Sequence, residues 1–276
     1  YLKSQFAVRA GYTSDITNAG RNYGVQQFGL NAGLAYYHKS GVFADLSGYY
    51  NSDQDPKYNT TITTLGYMGI LGDKWNYYAS YDHFFYSQPQ DSNDAFDYPL
   101  KNSLNTSINF RHKGLGAGTD YSFLFGNESA HRIRLNLGYS HYFTKVGFID
   151  RIGINPIISA LAGNANVTTT VFNTEITWEI LDQIRSDLGL SRMQILYILN
   201  NNPEAIMDLL SEEKTNNAFG IMNYSLFVPI SFSIKKTTLL LNYSLNLPVA
   251  LPGETDLDTS PNSYFSATLL YTFSFK

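Results

Sequence analysis

Within the stretch NSYFSATLLYTFSFK at 262–276, residues 264–275 alternate between two kinds of side chain. Every odd position from Phe265 to Phe275 is apolar or aromatic, and the even positions from Tyr264 to Ser274 are mostly small and polar. Because successive side chains of a β-strand point to opposite faces, a period of two predicts a strand with one apolar and one polar face. Such a strand suits a soluble sandwich as well as a membrane barrel, so the rest of the chain must decide between them.

The same alternation recurs along most of the sequence. It predicts eleven further strands, at residues 2–12, 26–38, 42–51, 60–71, 74–86, 100–111, 115–125, 131–143, 146–163, 218–233 and 238–248. Threonine and glycine dominate 60–71, so the sequence leaves open which side chains of that strand share a face. Pro156 interrupts 146–163, and because proline cannot donate to a β-ladder, we expect a bulge there.

The connections between these strands alternate in length. Five are short, at 39–41, 72–73, 112–114, 144–145 and 235–237, whereas the others, at 13–24, 52–59, 87–98, 126–130, 164–217 and 249–261, are mostly long. Bacterial transmembrane barrels have an even number of strands, short periplasmic turns and longer external loops. A soluble two-sheet protein has no reason to sort its loops in this way.

We therefore expect residues 1–276 to form a single antiparallel transmembrane β-barrel of about twelve strands. Lipid would lie outside it and a polar lumen inside it. Both termini would be periplasmic, and the long loops would be extracellular. A soluble antiparallel fold is the alternative.

Composition agrees with a barrel and excludes other classes of protein. Charged residues make up 15% of the 276 residues, below the roughly 25% of soluble domains. No apolar run reaches the roughly 18 residues of a transmembrane helix. The net charge of −4 is too small to indicate nucleic acid as a partner, and the absence of cysteine removes disulfides and thiolate metal sites. Because such a barrel must be exported, we expect that a signal peptide was removed before Tyr1.

The alternation, the parity of the loop lengths and the terminal LLYTFSF at 269–275 resemble those of Gram-negative outer-membrane β-barrel proteins, either porin-like or accessory barrels. The resemblance covers the chain except for 164–217, and Lys276 departs from it by following the terminal aromatic residue. It implies a location in the bacterial outer membrane, among lipid and lipopolysaccharide. It also implies recognition of the last strand by the barrel-assembly machinery, through Leu269, Tyr271, Phe273 and Phe275.

Residues 164–217, between the ninth and tenth predicted strands, follow a different period. Apolar residues recur there at helical spacing, Ser191 is a suitable N-cap, and Pro203 suits the first turn of a third short helix that reaches residue 211 or 214. Between residues 175 and 214 there are eight acidic and three basic residues.

Loop parity makes this helical insertion extracellular. It could be a cap on the barrel rim, a plug in the lumen, or a docking surface for another outer-membrane or surface protein. The candidate docking residues are Ile176, Trp178, Ile180, Ile184, Tyr197 and Met207.

The polar faces of the strands indicate what lines the lumen. Charges of both signs occur there among many serine, asparagine and threonine residues. An isolated charge in a dry interior is very costly, so each must be paired or hydrated. The sequence leaves open whether these charges satisfy one another in a closed interior or line a narrow pore. The predicted lumen-lining charged residues are Arg9, Asp45, Asp82, Arg111, Asp120, Arg132 and Arg134.

The sequence carries no catalytic pattern. Ser140 adjoins His141, but neighbouring strand residues point to opposite sides and cannot pair directly. Asp91, Asp94 and Asp97 could form a calcium site at the rim, although such clusters are more often solvated loop surface. We expect no catalytic residue, no cofactor and no metal. The five histidines are His38, His83, His112, His131 and His141.

Three hypotheses for function follow. The first is a non-catalytic structural or accessory subunit of an outer-membrane protein complex, with the long loops and the helical insertion as its docking surface. The second is a passive diffusion channel for small solutes, which the polar lumen favours. The third is a hydrolase at the barrel rim, which requires a catalytic geometry of which the sequence gives no sign.

Overall fold

The computed structural model describes residues 3–22, 27–88, 97–172 and 211–275, together with Ser191, Met193 and Gln194. The chain divides into two compact units. The first comprises Tyr1–Asn164, Phe219–Ala250 and Leu257–Lys276, and the second comprises Ala165–Ala218 and Leu251–Asp256. No helix among the described residues is long and apolar enough to cross a membrane.

The described residues form sixteen β-strands in two sheets. In chain order they are β1 Gln5–Thr13, β2 Thr17–Asn18, β3 Arg21–Asn22, β4 Gly29–Tyr37, β5 Val42–Asn51, β6 Tyr58–Leu71, β7 Trp75–Tyr86, β8 Leu100–His112, β9 Leu115–Gly126, β10 Ser129–Tyr139, β11 His141–Val146, β12 Ile149–Ile154, β13 Ile157–Phe172, β14 Ser211–Ile234, β15 Thr237–Pro248 and β16 Asn262–Ser274.

Twelve of these strands form a closed antiparallel barrel. They pair in the order β14-β13-β10-β9-β8-β7-β6-β5-β4-β1-β16-β15, and β15 pairs again with β14. The first strand therefore pairs with the last, and Gln5 lies opposite Ser274. A closed ring has no free edge, so its backbone N–H and C=O groups bond within the wall. The structure confirms the predicted twelve-stranded barrel.

The short strands β11 and β12 continue β10 and β13 after an interruption. Gly138 of β10 lies opposite Ile157 of β13, and His141 of β11 lies opposite Ile154 of β12, so the register is the same on both sides of the break. Pro156 interrupts the ladder because it has no N–H to donate. No extra residue is inserted, so the bulge predicted at Pro156 is wrong.

The short turns have the backbone geometry that tight hairpins need. Lys113 (φ 48°) and Gly114 (φ 87°) alone separate β8 from β9, and both lie in the left-handed region that a type I′ turn requires. Gly72, in the turn between β6 and β7, has φ 62°. These turns agree with the short connections predicted from the alternation.

Burial in the barrel is inverted relative to a soluble protein. On the outward face of β4 and β5, Leu30, Leu34 and Leu46 are exposed by 44%, 44% and 45%. On the inward face of β15, Asn242 and Asn246 are exposed by only 8% and 4%. Apolar surface on this scale is unfavourable in water and suits lipid, so the phase of the alternation confirms the transmembrane architecture.

Pairing settles the phase of β6, which the sequence left open. Thr64 lies opposite Asp45 of β5 and opposite Asp82 of β7, so all three side chains project to the same face of the sheet. Asp45 is on the polar inward face, because its neighbour Leu46 is outward. Thr64 therefore points into the lumen.

In the second unit, strand structure extends beyond the predicted ends. Strand β13 continues to Phe172 and β14 begins at Ser211, so 164–172 and 211–217 are strand rather than insertion. Asn217 Nδ2 donates to Asn166 Oδ1 at 2.9 Å, and the Thr168 and Thr215 hydroxyls are 2.9 Å apart. The prediction that a third helix reaches residue 211 or 214 is wrong there, because this stretch pairs as a hairpin.

The rest of the predicted helical insertion, 173–190, 192 and 195–210, lies outside the described residues. Met193 and Gln194 are helical. The Ser191 N–H donates to Gln194 Oε1 at 2.8 Å, and the Gln194 N–H donates to Ser191 Oγ at 3.3 Å. This reciprocal pair of hydrogen bonds has the form of a capping box at a helix start. The three helices of the insertion stay a prediction, because most of their residues are not described.

The inverted burial gives a test of which face meets lipid. Leu135, in the middle of β10, is 57% exposed on the outward face. Leu135→Lys should lower the free energy of unfolding in lipid vesicles by about 2–4 kcal/mol, the cost of a lysine near the bilayer midplane. The control Thr64→Lys places the same charge between two inward aspartates and should be tolerated. Equal costs in denaturant titrations would contradict the assignment of the faces.

Candidate functional site in the barrel lumen

The register of the strands assigns the inward face of the wall. Buried polar residues on that face outnumber the apolar ones, and they include Ser47, Ser80, Ser103 and Asn242. The seven predicted lumen-lining charges fall on this face when the pairings are followed from strand to strand: Arg9, Asp45, Asp82, Arg111, Asp120, Arg132 and Arg134. Their role in function stays a prediction.

Arg9 and Asp45 form an ion pair with two parallel hydrogen bonds. Arg9 Nη1 donates to Asp45 Oδ2 at 2.5 Å, and Nη2 donates to Asp45 Oδ1 at 2.6 Å. Ser47 joins them, because its hydroxyl donates to Asp45 Oδ1 at 2.6 Å and accepts from Arg9 Nη2. The side chains are 26% and 14% exposed, so the pair is largely shielded from solvent.

Glycine at position 33 makes this ion pair possible. Arg9 is on β1 and Asp45 is on β5, with β4 between them. On β4, Gly33 lies opposite both Arg9 and Ser47. A Cβ atom at this glycine would be 2.8 Å from the Arg9 Cζ atom. The guanidinium group therefore crosses β4 over a position that has no side chain.

The other inward aspartates accept hydrogen bonds from amides rather than from cations. Asn105 Nδ2 donates to Asp82 Oδ2 at 2.7 Å, and Asn136 Nδ2 donates to Asp120 Oδ2 at 2.6 Å. The second oxygen of Asp82 is buried without a hydrogen-bond partner in the described part of the chain. Of the seven predicted residues, only Arg9 and Asp45 form an ion pair with a described residue, and they do so with each other.

Basic side chains gather on the opposite part of the wall, around β10. Arg132 Nη1 donates to the carbonyl oxygens of His131, at 2.9 Å, and of Asn164. Arg21, from the loop that follows β1, is near enough to Arg132 for the two charges to interact. Arg134 is exposed to the lumen and lies opposite Asp120 on β9, but the two do not form an ion pair.

The loop between β1 and β4 forms a small hairpin, β2–β3, that lies against the inward face. Three asparagines carry a relay of hydrogen bonds to its tip. Asn223 Nδ2 donates to Asn246 Oδ1 at 3.1 Å, and Asn246 Nδ2 donates to Asn262 Oδ1 at 3.0 Å. Asn262 Nδ2 then donates to the Gly20 carbonyl oxygen at 2.9 Å. The inward faces of β14, β15 and β16 thus hold the hairpin inside the barrel.

The tip of this hairpin requires glycine for two reasons. Ala19 (φ 54°) and Gly20 (φ 78°) form its turn, and both are left-handed. A Cβ atom at Gly20 would also lie 2.0 Å from Asn223 Nδ2. Asp15 holds the base of the loop through hydrogen bonds that its Oδ1 accepts from the backbone N–H groups of Ile16 and Gln27, at 2.9 and 3.3 Å.

Sequence reasoning missed this hairpin and treated 13–24 as a plain loop. The available signal was Asn18-Ala19-Gly20-Arg21, since a two-residue turn ending in glycine is typical of tight hairpins. The contacts with the wall had no local signal, because they join residues more than 200 positions apart.

An aromatic row narrows the lumen near the short turns. Tyr37 and Phe43 stack with ring centroids 5.9 Å apart, and Phe43 stacks on Tyr78 at 5.5 Å. Phe43 is 5% exposed, and its ring crosses β6 over Gly66, where a Cβ atom would be 2.4 Å from the ring. As at Gly33, a glycine on the intervening strand lets a large side chain cross it.

In the described part of the chain, the histidines contact nearby serine, asparagine and aromatic side chains. The His38 Nδ1 atom is 2.7 Å from Ser40 Oγ and accepts from the Ser40 N–H at 3.2 Å, which stabilises the turn after β4. His83 Nδ1 contacts Asn102 Oδ1 at 2.8 Å. Among the described residues no group of three or more His, Cys, Asp or Glu side chains could hold a metal ion. The absence of catalytic, metal and cofactor sites stays a prediction.

Of the three loop aspartates proposed as a rim cluster, Asp97 is described. Its carboxylate accepts hydrogen bonds from Lys101 Nζ and Asn127 Nδ2. The hydrogen bond from Lys101, followed by that from Asn127, lowers the pKa of Asp97. A lowered pKa means that this contact stabilises the fold above the ordinary pKa of an aspartate and is lost as the pH falls through the lowered value.

The structure describes the residues predicted to be recognised during barrel assembly, but not those predicted to dock a partner. Leu269, Tyr271, Phe273 and Phe275 are exposed on one side of the last strand, and their recognition by the assembly machinery stays a prediction. The six predicted docking residues lie outside the described part of the chain: Ile176, Trp178, Ile180, Ile184, Tyr197 and Met207.

No protein-family model matches the chain, and no curated protein sequence matches it. Similar solved structures exist at low identity. NanC porin is 9% identical over 98% of this chain and 99% of that one, with a TM-score of 0.45. An outer membrane channel from Pseudomonas putida F1 is 9% identical over 99% and 96%, with a TM-score of 0.47. The β domain of the Bordetella autotransporter BrkA is 9% identical over 99% and 100%, with a TM-score of 0.38.

The barrel itself identifies the class of the protein. Twelve strands close into a ring, leucine and aromatic side chains cover its outside, and asparagine, serine and charged side chains line its inside. Together these features define a transmembrane β-barrel of the outer-membrane type.

The ion pair can be tested with a double-mutant cycle. Arg9→Gln and Asp45→Asn should each destabilise the barrel, and their effects should couple by about 1–3 kcal/mol because each removes the same charged hydrogen bonds. The matched control combines Arg9→Gln with Asp82→Asn, which lies on β7, and should be additive. Additive free energies of unfolding for Arg9 and Asp45 would show that the pair does not form.

Proposed function

We propose that the protein is a passive diffusion channel for small polar solutes in the bacterial outer membrane. The inward charges carry this proposal. Asp82, Asp120 and Arg134 form no ion pair with one another or with other described residues. A charge without a counter-ion is very costly in a dry interior and acceptable in a water-filled one. A hydrated interior is the first requirement of a diffusion channel.

The width of the lumen supports small solutes. Barrel diameter grows with strand number, so twelve strands leave more room than eight and less than the 16–18 strands of large porins. The β2–β3 hairpin and the aromatic row of Tyr37, Phe43 and Tyr78 take up part of that room. Both features favour a narrow pathway with distinct polar contacts.

The balance of inward charge favours anions. Arg9 and Asp45 neutralise each other, which leaves Asp82 and Asp120 as the acidic groups of the wall and Asp15 as the acidic group of the loop that carries Arg21. The basic groups that face the same space are Arg21, Arg111, Arg132 and Arg134. An excess of fixed positive charge in a confined aqueous path raises the local concentration of anions.

The orientation follows from loop length. The short turns lie at one end of the barrel, and the longer loops lie at the other together with the two-residue β9–β10 connection. Both termini are at the end with the short turns. Barrels of this type have short periplasmic turns, so we place the termini in the periplasm and the long loops outside the cell.

The accessory-subunit hypothesis depends on partner contacts of the long loops and of the helical insertion, and most of that insertion lies outside the described residues. The polar wall gives it no specific support, and the diffusion channel accounts better for the inward charges that form no ion pair. A rim hydrolase would require a nucleophile, a base and an orienting acid, an arrangement that the described residues do not form.

Single-channel recording in planar bilayers tests the proposal. Purified protein should produce discrete conductance steps, and the reversal potential in a potassium chloride gradient should indicate a preference for chloride. Arg134→Glu should shift the reversal potential towards cation preference. The control Lys57→Glu makes the same charge change in an exposed loop and should have a smaller effect. No conductance from correctly folded protein would overturn the proposal.

The β2–β3 hairpin gives a second test. Gly20→Val should displace the hairpin, because the new side chain would overlap Asn223 and strain the left-handed backbone. We expect a larger single-channel conductance than that of the original protein. Gly72→Val is the control, since Gly72 is also left-handed (φ 62°) but has no atom within 4 Å of the added Cβ. An unchanged conductance in Gly20→Val would mean that the hairpin does not narrow the pathway.

A further inference from the structure

The inward face has a recess near the short turns, away from the hairpin. Its volume is about 360 Å³, and its lining includes Asn76, Asn109, Arg111, Asn136 and Asn155. It lies on the inward side of β7, β8, β9, β10 and the β12–β13 junction. All of these residues belong to the first compact unit.

Two neighbouring rows of paired residues explain why the wall is hollow there. In the first row, Asn109 of β8 pairs with Gly118 of β9, which pairs with Asn136 of β10. In the second row, Arg111 pairs with Gly116, which pairs with Gly138. Gly116, Gly118 and Gly138 have no side chains, so the longer side chains of Asn109, Arg111 and Asn136 surround a cavity.

The polar groups of the recess are not all used within the wall. The side chains of Arg111 and Asn76 make no hydrogen bond or ion pair with the described residues, and Arg111 is exposed. The Oδ1 atom of Asn155 is buried and also lacks a donor within the described chain. A buried polar atom without a partner, such as Asn155 Oδ1, is unfavourable. The exposed Arg111 and the partly buried Asn76 are accessible from the lumen, so all three groups are suited to an external ligand.

The charge around the recess favours an anion. The short turns at this end carry far more basic than acidic residues, and the electrostatic potential of such a ring extends into the adjoining mouth. The basic residues of these turns are Lys39, Lys74, Lys113, Lys145, Lys235 and Lys236, and the acidic ones are Asp73 and Asp150.

We propose that this recess binds a small organic anion that carries one carboxylate and several hydroxyl groups. The inference deepens the proposed function and depends on it only in that the solute must enter the lumen. Arg111 offers a planar fork of N–H donors that matches a carboxylate. Asn76 and Asn109 offer both donors and acceptors, which match hydroxyl groups.

A single negative charge fits this site better than two. Arg111 is the one basic side chain that lines the recess among the described residues. Asn136, on the opposite side, already donates to the carboxylate of Asp120, which places a negative charge nearby. A dianionic phosphate would be repelled by Asp120 and would have only Arg111 to balance its two charges. Arg111 alone balances the single charge of a carboxylate.

Isothermal titration calorimetry of the detergent-solubilised full chain tests the site without requiring conductance. D-gluconate should bind saturably, D-glucose should not bind because it lacks the carboxylate, and acetate should bind more weakly because it lacks the hydroxyl groups. Equal binding of gluconate and glucose, or no binding of gluconate, would overturn the inference.

Variants locate the binding. Arg111→Gln should weaken gluconate binding by about tenfold or more, since it removes a charged hydrogen bond. The control Lys74→Gln removes a charge from the same end but not from the recess, and should leave binding nearly unchanged. Equal losses in both variants would show that general attraction, rather than this recess, holds gluconate.

Filling the recess provides an independent variant. A Cβ atom at Gly116 would meet only the carbonyl oxygens of Phe110 and Gly138, at 3.6 and 3.9 Å, so the wall can accept a side chain there. Gly116→Leu should therefore fold and abolish gluconate binding, and unchanged binding would overturn the inference. If the original protein binds gluconate but conducts no current, the channel proposal fails and the binding site stands.

Discussion

The requirement that every backbone N–H and C=O group be bonded within the wall governs this molecule. Lipid offers these groups no hydrogen bonds, so a sheet can cross it only as a closed ring. The pairing of β14 with β15, and of β1 with β16, closes that ring. Closure then fixes the side chains, because alternate residues must face lipid and lumen. The apolar outside and the polar inside follow from the same constraint.

The strands could be predicted from the sequence because each one carries its own alternation. Strand number, loop parity and the inward position of residues such as Arg9 and Asp82 required only local counting. The extent of β13 and β14 was harder, since 164–172 was grouped with the helical spacing that follows it. The continued register past Pro156 could not be predicted either, because a proline signals a break in hydrogen bonding but not whether a residue is inserted.

The contacts inside the lumen depend on which residues meet across strands, and single-strand patterns do not contain that information. Gly33 lies beneath the Arg9 guanidinium, and Gly66 lies beneath the Phe43 ring. In the sequence these glycines are indistinguishable from the other glycines of the strands. Only the register gives them a shared role, in which a missing side chain on one strand lets a long side chain reach the strand beyond it.

The meeting of β1 and β16 also has a consequence for how the chain reaches its native state. Gln5 and Ser274 are partners at nearly the greatest sequence separation that the chain allows. Neighbouring hairpins can form from local contacts, but this seam requires both ends of the polypeptide, and distant contacts form slowly. Until the last strand arrives, β1 and β15 each present an unpaired edge. Shortening the chain by that strand would therefore leave an open sheet prone to pairing with other chains.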